Sequence, residues 1–213
     1  MSRAAPLLAT GLCSAAALCA TPAPVEAQDQ QPFPLPQVYR DHETGLLVYF
    51  AELPGRAAGE VRLGYVSDQI YWFFNPLSPL QPGFGCRFIQ PEFTNVGFCD
   101  GPVNGFLVRL GPGPNDVHVL PTVPRLTGPN EIRGNRNKDK LKGGQNDEKI
   151  KGGKGNDVIN PGPGQDAVDA GPGNDEANTA DGEVDRLNGG KGKDGATVDK
   201  VDKVKNVEKV KRK

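Results

Sequence analysis

Acidic residues recur at intervals of nine in the second half of this 213-residue chain. With Gly152 as position 1 of GGKGNDVIN (152–160), the frame continues upstream through GGQNDEKIK (143–151) and GNRNKDKLK (134–142). Downstream it passes through PGPGQDAVD (161–169), AGPGNDEAN (170–178), the ten-residue TADGEVDRLN (179–188) and GGKGKDGAT (189–197). Position 6 carries Asp139, Glu148, Asp157, Asp166, Asp175, Asp185 and Asp194. Side-chain carboxylates, together with backbone carbonyls freed at glycine turns, offer oxygen alone, which is the ligand set of a hard divalent cation taking roughly 6 to 8 oxygens. The chemistry written into this spacing is cation binding.

The elements that must hold these carboxylates follow from the rest of the unit. Position 8 is occupied by Leu141, Ile150, Ile159, Val168, Ala177, Leu187 and Ala196. One apolar residue in nine leaves no helical stripe, and glycine runs disfavour helix. The period suits a coil of short strands instead. Positions 1 to 6 make a turn, in which Gly153, Gly155, Gly162, Gly164, Gly171, Gly173, Gly190 and Gly192 supply left-handed backbone. Positions 7 to 9 make a strand with position 8 inward. Two units complete one turn of a flattened roll, so units n and n+2 stack and their acidic loops gather along each edge. Rows of carboxylates repel, and a core one side chain thick cannot offset the ordering entropy of so many glycines. Calcium is therefore expected as part of the fold.

The units resemble the GGxGxDxUx nonapeptides of the RTX, or hemolysin-type, calcium-binding repeats, which implies a parallel β-roll with calcium between its loops. GGKGNDVIN and GGKGKDGAT match the glycine and aspartate positions fully, while PGPGQDAVD and AGPGNDEAN keep the second and fourth glycines and the aspartate. The likeness covers roughly residues 130–197. GNRNKDKLK and GGQNDEKIK depart from it, and residues 131–154 hold eight Lys or Arg, whereas 155–185 hold eight Asp or Glu and no basic residue. The firmest calcium sites are expected around Asp157, Asp166 and Asp175. LGPGPNDVHVL (110–120) reads as a degenerate first unit with Asn115 or Asp116 in the carboxylate place. Val198, Val201, Val204, Val207 and Val210, three apart, read as a capping strand over 198–213 with a basic tail.

The first half has different physics. All fourteen Phe, Trp and Tyr residues lie between Phe33 and Phe106. Short β-prone stretches at 45–51, 60–66, 69–74, 85–89 and 106–110 are punctuated by Gly and Pro, predicting an aromatic-rich β domain over 37–125 behind a Pro/Gln-rich leader at 28–36. The fold class is all-β: a small disulfide-stapled β unit followed by the parallel roll. Residues 1–27 have the charge, apolar run and small residues of a signal peptide cleaved after Ala27. The apolar run falls short of the roughly 20 residues needed to span a bilayer, and no later segment reads as transmembrane. In an oxidising compartment Cys86 and Cys99 are expected to pair. Free thiols or half of a metal site are the alternatives, and no CxxC spacing supports either. The aromatic leader ahead of an LGPG step also resembles the one attached to such repeats in secreted, actinobacterial-type proteins.

No zinc helix, nucleophile elbow, phosphate loop or dinucleotide fingerprint occurs, and His42 and His118 are a thin stock for acid–base work. The aromatic run at 71–74 reads as core rather than a sugar-binding face. The expectation is a secreted, non-enzymatic calcium-binding protein with a structural or adhesive role and no nucleic-acid partner. Cell-surface or extracellular polysaccharide is a candidate partner. The alternative is an extracellular hydrolase or carbohydrate-binding domain carrying the roll as a folding tail, with Asp41, Glu43 or Glu52 as candidate acids.

Overall fold

A computed structural model describes residues 37–50, 60–65, 70–75, 80–88 and 96–213. The expected signal peptide, the leader, Glu52 and the side chain of Trp72 lie outside the described residues. The first half contributes β1 (Gln37–Arg40), β2 (Leu46–Phe50), β3 (Glu60–Tyr65), β4 (Ile70–Phe74), β5 (Gln81–Pro82), β6 (Cys86–Arg87), β7 (Val96–Asp100), β8 (Gly105–Arg109) and β9 (Asp116–Val119). The second contributes β10 (Asn130–Arg133), β11 (Lys140–Lys142), β12 (Glu148–Lys151), β13 (Val158–Asn160), β14 (Ala167–Pro172), β15 (Glu176–Asn178), β16 (Arg186–Lys191), β17 (Gly195–Val198), β18 (Lys203–Lys205) and β19 (Lys209–Arg212). Among the described residues every regular element is a strand.

The strands alternate between two sheets. One runs β18-β16-β14-β12-β10-β8-β2-β1-β5 and the other β19-β17-β15-β13-β11-β9-β3-β4-β7-β6. β8 joins β2 and β9 joins β3 in parallel, and from β8 to β19 every pairing is parallel and successive strands of the chain fall in opposite sheets. This is a parallel β-roll with two units per turn, all-β as the spacing requires. Its core is two files of side chains. Tyr49, Val108, Ile132, Ile150, Val168, Leu187 and Val204 are in register along one sheet. Val61, Val117, Leu141, Ile159, Ala177, Ala196 and Val210 are in register along the other. All but Val204 and Val210, at the last turn, are buried. Parallel strands about 4.8 Å apart bring each side chain against the next.

The change in composition after Phe106 is not a break in the sheets. β2 pairs with β8 and β3 with β9, so the aromatic half supplies the roll's first turn. It then covers that end with antiparallel strands, β1 on β2 in one sheet and β4, β7 and β6 beyond β3 in the other. Phe73 and Tyr71 are buried in the common core. Cys86 and Cys99 stand opposite each other in the β6–β7 pair and form a disulfide. The closing segment differs from the single capping strand its valine spacing suggested. It adds β18 to one sheet and β19 to the other. The interval of three does not match strand alternation: Val198 is buried, Val204 and Val207 are partly buried, and Val201 and Val210 are exposed.

The stacking of turns makes a distinction among the glycines testable. Gly171 has φ +107°, and a Cβ there would overlap the carbonyl oxygen of Gly153 in the turn before, whereas Gly195 has nothing within 4 Å of the same position. In the calcium-saturated protein, Gly171→Ala is expected to lower unfolding free energy by about 1–3 kcal/mol. Gly195→Ala is expected to stay within about 0.5 kcal/mol of the parent. Urea unfolding of both variants checks this, and equal effects would contradict the stacked-turn geometry.

Candidate metal centre

The sixth position of each unit lies where its loop enters a strand, and there the side chain is buried. Asp139, Asp157, Asp175 and Asp194 precede the strands of one sheet and Glu148, Asp166 and Asp185 enter those of the other; none is more than 4% exposed. The register of the parallel strands binds them into two columns. The backbone N–H of Asp139 donates to Oδ1 of Asp157 at 2.8 Å, that of Asp157 to Asp175 at 2.8 Å, and that of Asp175 to Asp194 at 2.9 Å. In the second column the N–H of Glu148 donates to Asp166 at 2.7 Å, and that of Asp166 to Asp185 at 2.8 Å. Asp157, Asp166, Asp175, Asp185 and Asp194 thus each satisfy the backbone donor of the unit two before, whereas Oε1 of Glu148 accepts from the N–H of Asn146 in its own unit at 3.2 Å.

In six of these groups only one oxygen is engaged. Oε2 of Glu148 and Oδ2 of Asp157, Asp166, Asp175, Asp185 and Asp194 are buried with no hydrogen-bond partner among the described residues. Buried charge without a partner is strongly unfavourable. Six such oxygens in two columns call for a counter-charge between turns, and a calcium ion supplies it through oxygen ligands. The remaining donors fit as well. Oδ2 of Asp157 stands 2.5 Å from where a Cβ on Gly152 would be, and Oδ2 of Asp194 2.7 Å from that on Gly189, so these oxygens lie against the turn backbone. Glu148, Asp157, Asp166, Asp175, Asp185 and Asp194 would hold calcium with carbonyls of these turns. Asp139 differs. Its Oδ1 accepts from both the N–H and Nδ2 of Asn115, at 2.9 and 2.8 Å, and its Oδ2 accepts from the N–H of Asn135 at 3.3 Å.

The turns that carry the carbonyls depend on missing side chains. Gly155 has φ +136°, and a Cβ on it would run into the backbone of Asn137 in the preceding turn. Gly153, Gly162, Gly164, Gly171, Gly190 and Gly192 sit in the same way, each with positive φ and a carbonyl of the previous turn against it. Gly173 lacks the positive φ but abuts the Gly155 carbonyl. Where the repeat departs from glycine at position 4, Asn137 takes φ +77°, a conformation asparagine tolerates better than most residues.

Burial dominates the electrostatics. Desolvation pushes the carboxyls of Glu148 and Asp166 up to about 8, Asp185 to about 7, and Asp157 and Asp175 to about 6. Asp139 is raised as well, chiefly by burial. Backbone N–H donors oppose the shift at each position, and like charges in the column add to it: Asp166 acts on Glu148, and Asp139 on Asp157.

The columns extend beyond the seven regular units, and of the two residues the degenerate first unit offers one is chosen. Asn115, not Asp116, takes the position-6 place of the degenerate first unit; it is buried, whereas Asp116 is exposed. Past the last full unit, Asp202 accepts from the N–H of Asp185 at 3.0 Å and Glu208 from that of Asp194 at 2.7 Å. Both follow shorter steps of 17 and 14 residues, which a fixed period misses. A second ladder runs along position 5: the N–H of Asn174 donates to Asn156 Oδ1 at 2.8 Å, and that of Lys193 to Asn174 Oδ1 at 2.9 Å. Asp181 comes within 4.8 Å of Asp166 and Asp185, measured between one carboxylate oxygen of each. Asp41 and Glu43 in the first half take no part in the columns. Oδ1 of Asp41 accepts from the N–H groups of Glu43 and Thr44 and from the Thr44 hydroxyl, closing its own turn, and Glu43 is exposed.

A parallel roll with paired columns of half-satisfied carboxylates defines a calcium-binding repeat protein. A family model describing the RTX calcium-binding nonapeptide repeat (4 copies) matches residues 126–159 and again 142–177. Residues 126–177 of the chain therefore carry repeats of the RTX calcium-binding type. No curated protein and no solved structure matches it.

The raised carboxyls set a pH dependence for the metal-free chain. The folded groups bind protons more tightly than the ordinary carboxylates of the unfolded chain, whose pKa is about 4. Their contribution to stability is present in full below about pH 4 and is lost as pH rises towards 8. In chelator, the β signal in circular dichroism is therefore expected to be stronger at pH 4.5 than at pH 8. The opposite order would show that the columns do not close without metal.

Proposed function

We propose that the protein is a secreted, non-enzymatic calcium-dependent scaffold that leaves the cytoplasm unfolded and completes its roll on meeting extracellular calcium. The observation that carries this reading is the pair of carboxylate columns, with six buried oxygens that have no hydrogen-bond partner among the described residues. Without a cation they oppose folding; with one they become its ligands, so ordering and binding are a single event. Affinities on the order of 10⁻⁴ to 10⁻³ M, usual for extracellular calcium modules, would leave the chain open inside the cell and closed outside it. The disulfide between Cys86 and Cys99 is in keeping with an oxidising compartment. Among the described residues no helix is long and apolar enough to cross a membrane. The engagement of Asp41 in its own turn supports a structural rather than catalytic role for the first half.

The adhesive part of the reading draws on the outer face of the sheet containing β12, β14, β16 and β18. A groove of about 440 Å³ crosses these strands, bordered by Lys149, Lys151, Arg186, Lys203 and Lys205, with Asp169 its acidic member. A row of cations on parallel strands suits an extended anionic polymer, and acidic polysaccharide is the partner this function implies.

Calcium titration of the full chain, followed by far-UV circular dichroism with magnesium as control, tests the fold-on-binding step. A cooperative gain of β signal with calcium alone is expected, shifted to higher calcium or lost in Asp157→Ala/Asp175→Ala. No response up to about 10 mM calcium, above the usual extracellular range, would overturn the reading. Retention on an immobilised acidic polysaccharide is expected in calcium and not in chelator. Lys203→Glu/Lys205→Glu should reduce it while leaving the calcium-dependent β signal in place.

A further inference from the structure

The ten-residue unit 179–188 interrupts the nine-residue frame, yet it leaves the columns intact. β14 and β16 keep Val168 opposite Leu187, and the N–H of Asp166 still reaches Oδ1 of Asp185 at 2.8 Å across 19 residues. The surplus is taken up in the loop. Gly182 there has φ +99° and nothing within 4 Å of a would-be Cβ, unlike the stacked glycines of the regular turns. The loop is nonetheless pinned. The Thr179 hydroxyl donates to Asp202 Oδ2 at 2.9 Å, the Gly182 N–H to Asp199 Oδ2 at 2.5 Å, and the Glu183 N–H to Asp181 Oδ1 at 2.8 Å.

This path delivers Asp181 to the second column. One carboxylate oxygen each from Asp166, Asp181 and Asp185 lie within 4.8 Å of one another. Asp166 is 2% exposed and Asp185 0%, and each has a buried Oδ2 without a hydrogen-bond partner, so two of the three groups point unsatisfied ligand atoms into buried space. Asp181 occupies position 3 of its unit. The regular units have Arg136, Gln145, Lys154, Pro163, Pro172 and Lys191 at that position, none of them a carboxylate.

We infer that Asp166, Asp181 and Asp185 form a three-carboxylate calcium site, tighter than those the regular units offer, and that it is the first to fill as calcium rises. The inference rests on the calcium reading above and adds the order of filling. A third carboxylate raises the ligand charge, the quantity that tunes affinity among calcium sites. The two buried groups are already held by the strand register, while the exposed Asp181 stands at the rim where an ion enters. Binding there would tie the insertion loop to β14 and β16, and so fix the register between the regular units and the closing turn of β18 and β19.

Equilibrium dialysis of the full chain against radioactive calcium, run beside the circular dichroism titration, tests it. The wild-type chain is expected to take up its first equivalent at a calcium concentration about tenfold below the midpoint of the β signal, within the span that ligand charge sets. Asp181→Asn should move that first equivalent up to the midpoint while retaining the full β signal at saturating calcium. Asp181→Glu, which keeps the charge, should restore early uptake, and Glu183→Gln, beside the cluster, should leave it unchanged. An unaltered first equivalent in Asp181→Asn, or the same shift in Glu183→Gln, overturns the site while the calcium-dependent roll stands. A wild-type chain that takes up no calcium overturns the calcium reading and this site with it.

Discussion

The hydrogen bond from a position-6 backbone N–H to the carboxylate two units later is the constraint on which the rest of the structure depends. A backbone donor at the entry to a buried strand must be satisfied. Here it is answered by a side chain from the next turn, as between Asp157 and Asp175. That choice fixes the stacking distance and the register of the turns, and it buries a charge at every step. In six of these groups the second oxygen then has no hydrogen-bond partner among the described residues. The way the backbone is satisfied thus leaves, at each step, an oxygen placed to serve as a cation ligand. The thinness of the core makes this dependence stronger, since Ala177 and Ala196 contribute little apolar area where the file narrows.

Such a column must also end. At the first turn the ending is neutral: Asn115 replaces the acid and directs both its N–H and its amide nitrogen to Asp139, whose other oxygen is taken by the backbone of Asn135. No bare carboxylate oxygen remains there, and the aromatic half can pack its apolar strands over that end. At the far end Asp202 and Glu208 continue the columns into two short strands rich in lysine. Lysines on an edge strand discourage further pairing with another chain. The two halves of the protein therefore solve one problem, the open ends of a parallel roll, with aromatic burial and a disulfide on one side and charge on the other.

Much of this was legible because the repeat is local and regular. Glycines, acids and apolar residues at fixed places in nine specify a turn, a column and a file. Gly155, Asp157 and Ile159 need no knowledge of distant contacts to be assigned. Legibility failed where the period changes. Asp202 and Glu208 follow steps shorter than 18 residues, and the valines of the closing segment suggested one cap where the structure has two strands. It failed again where a residue outside the frame acquires its role by proximity. Asp181 sits at position 3 of an irregular unit, and nothing in its neighbours along the chain reveals that Asp166, fifteen residues earlier, lies beside it.

The sequence by itself determined the class of fold, the two-unit turn, the position-8 core and the carboxylates of the regular units, because each is set by spacing within nine residues. Only the tertiary structure decided that the sheets run on into the aromatic half, through β2 on β8 and β3 on β9. It alone decided which oxygen of each carboxylate is satisfied and which is left over, since that depends on the backbone of the turn before. The physical reason is the same in both cases: pairing between strands far apart in the chain is chosen by collective register and burial, and no local pattern records it.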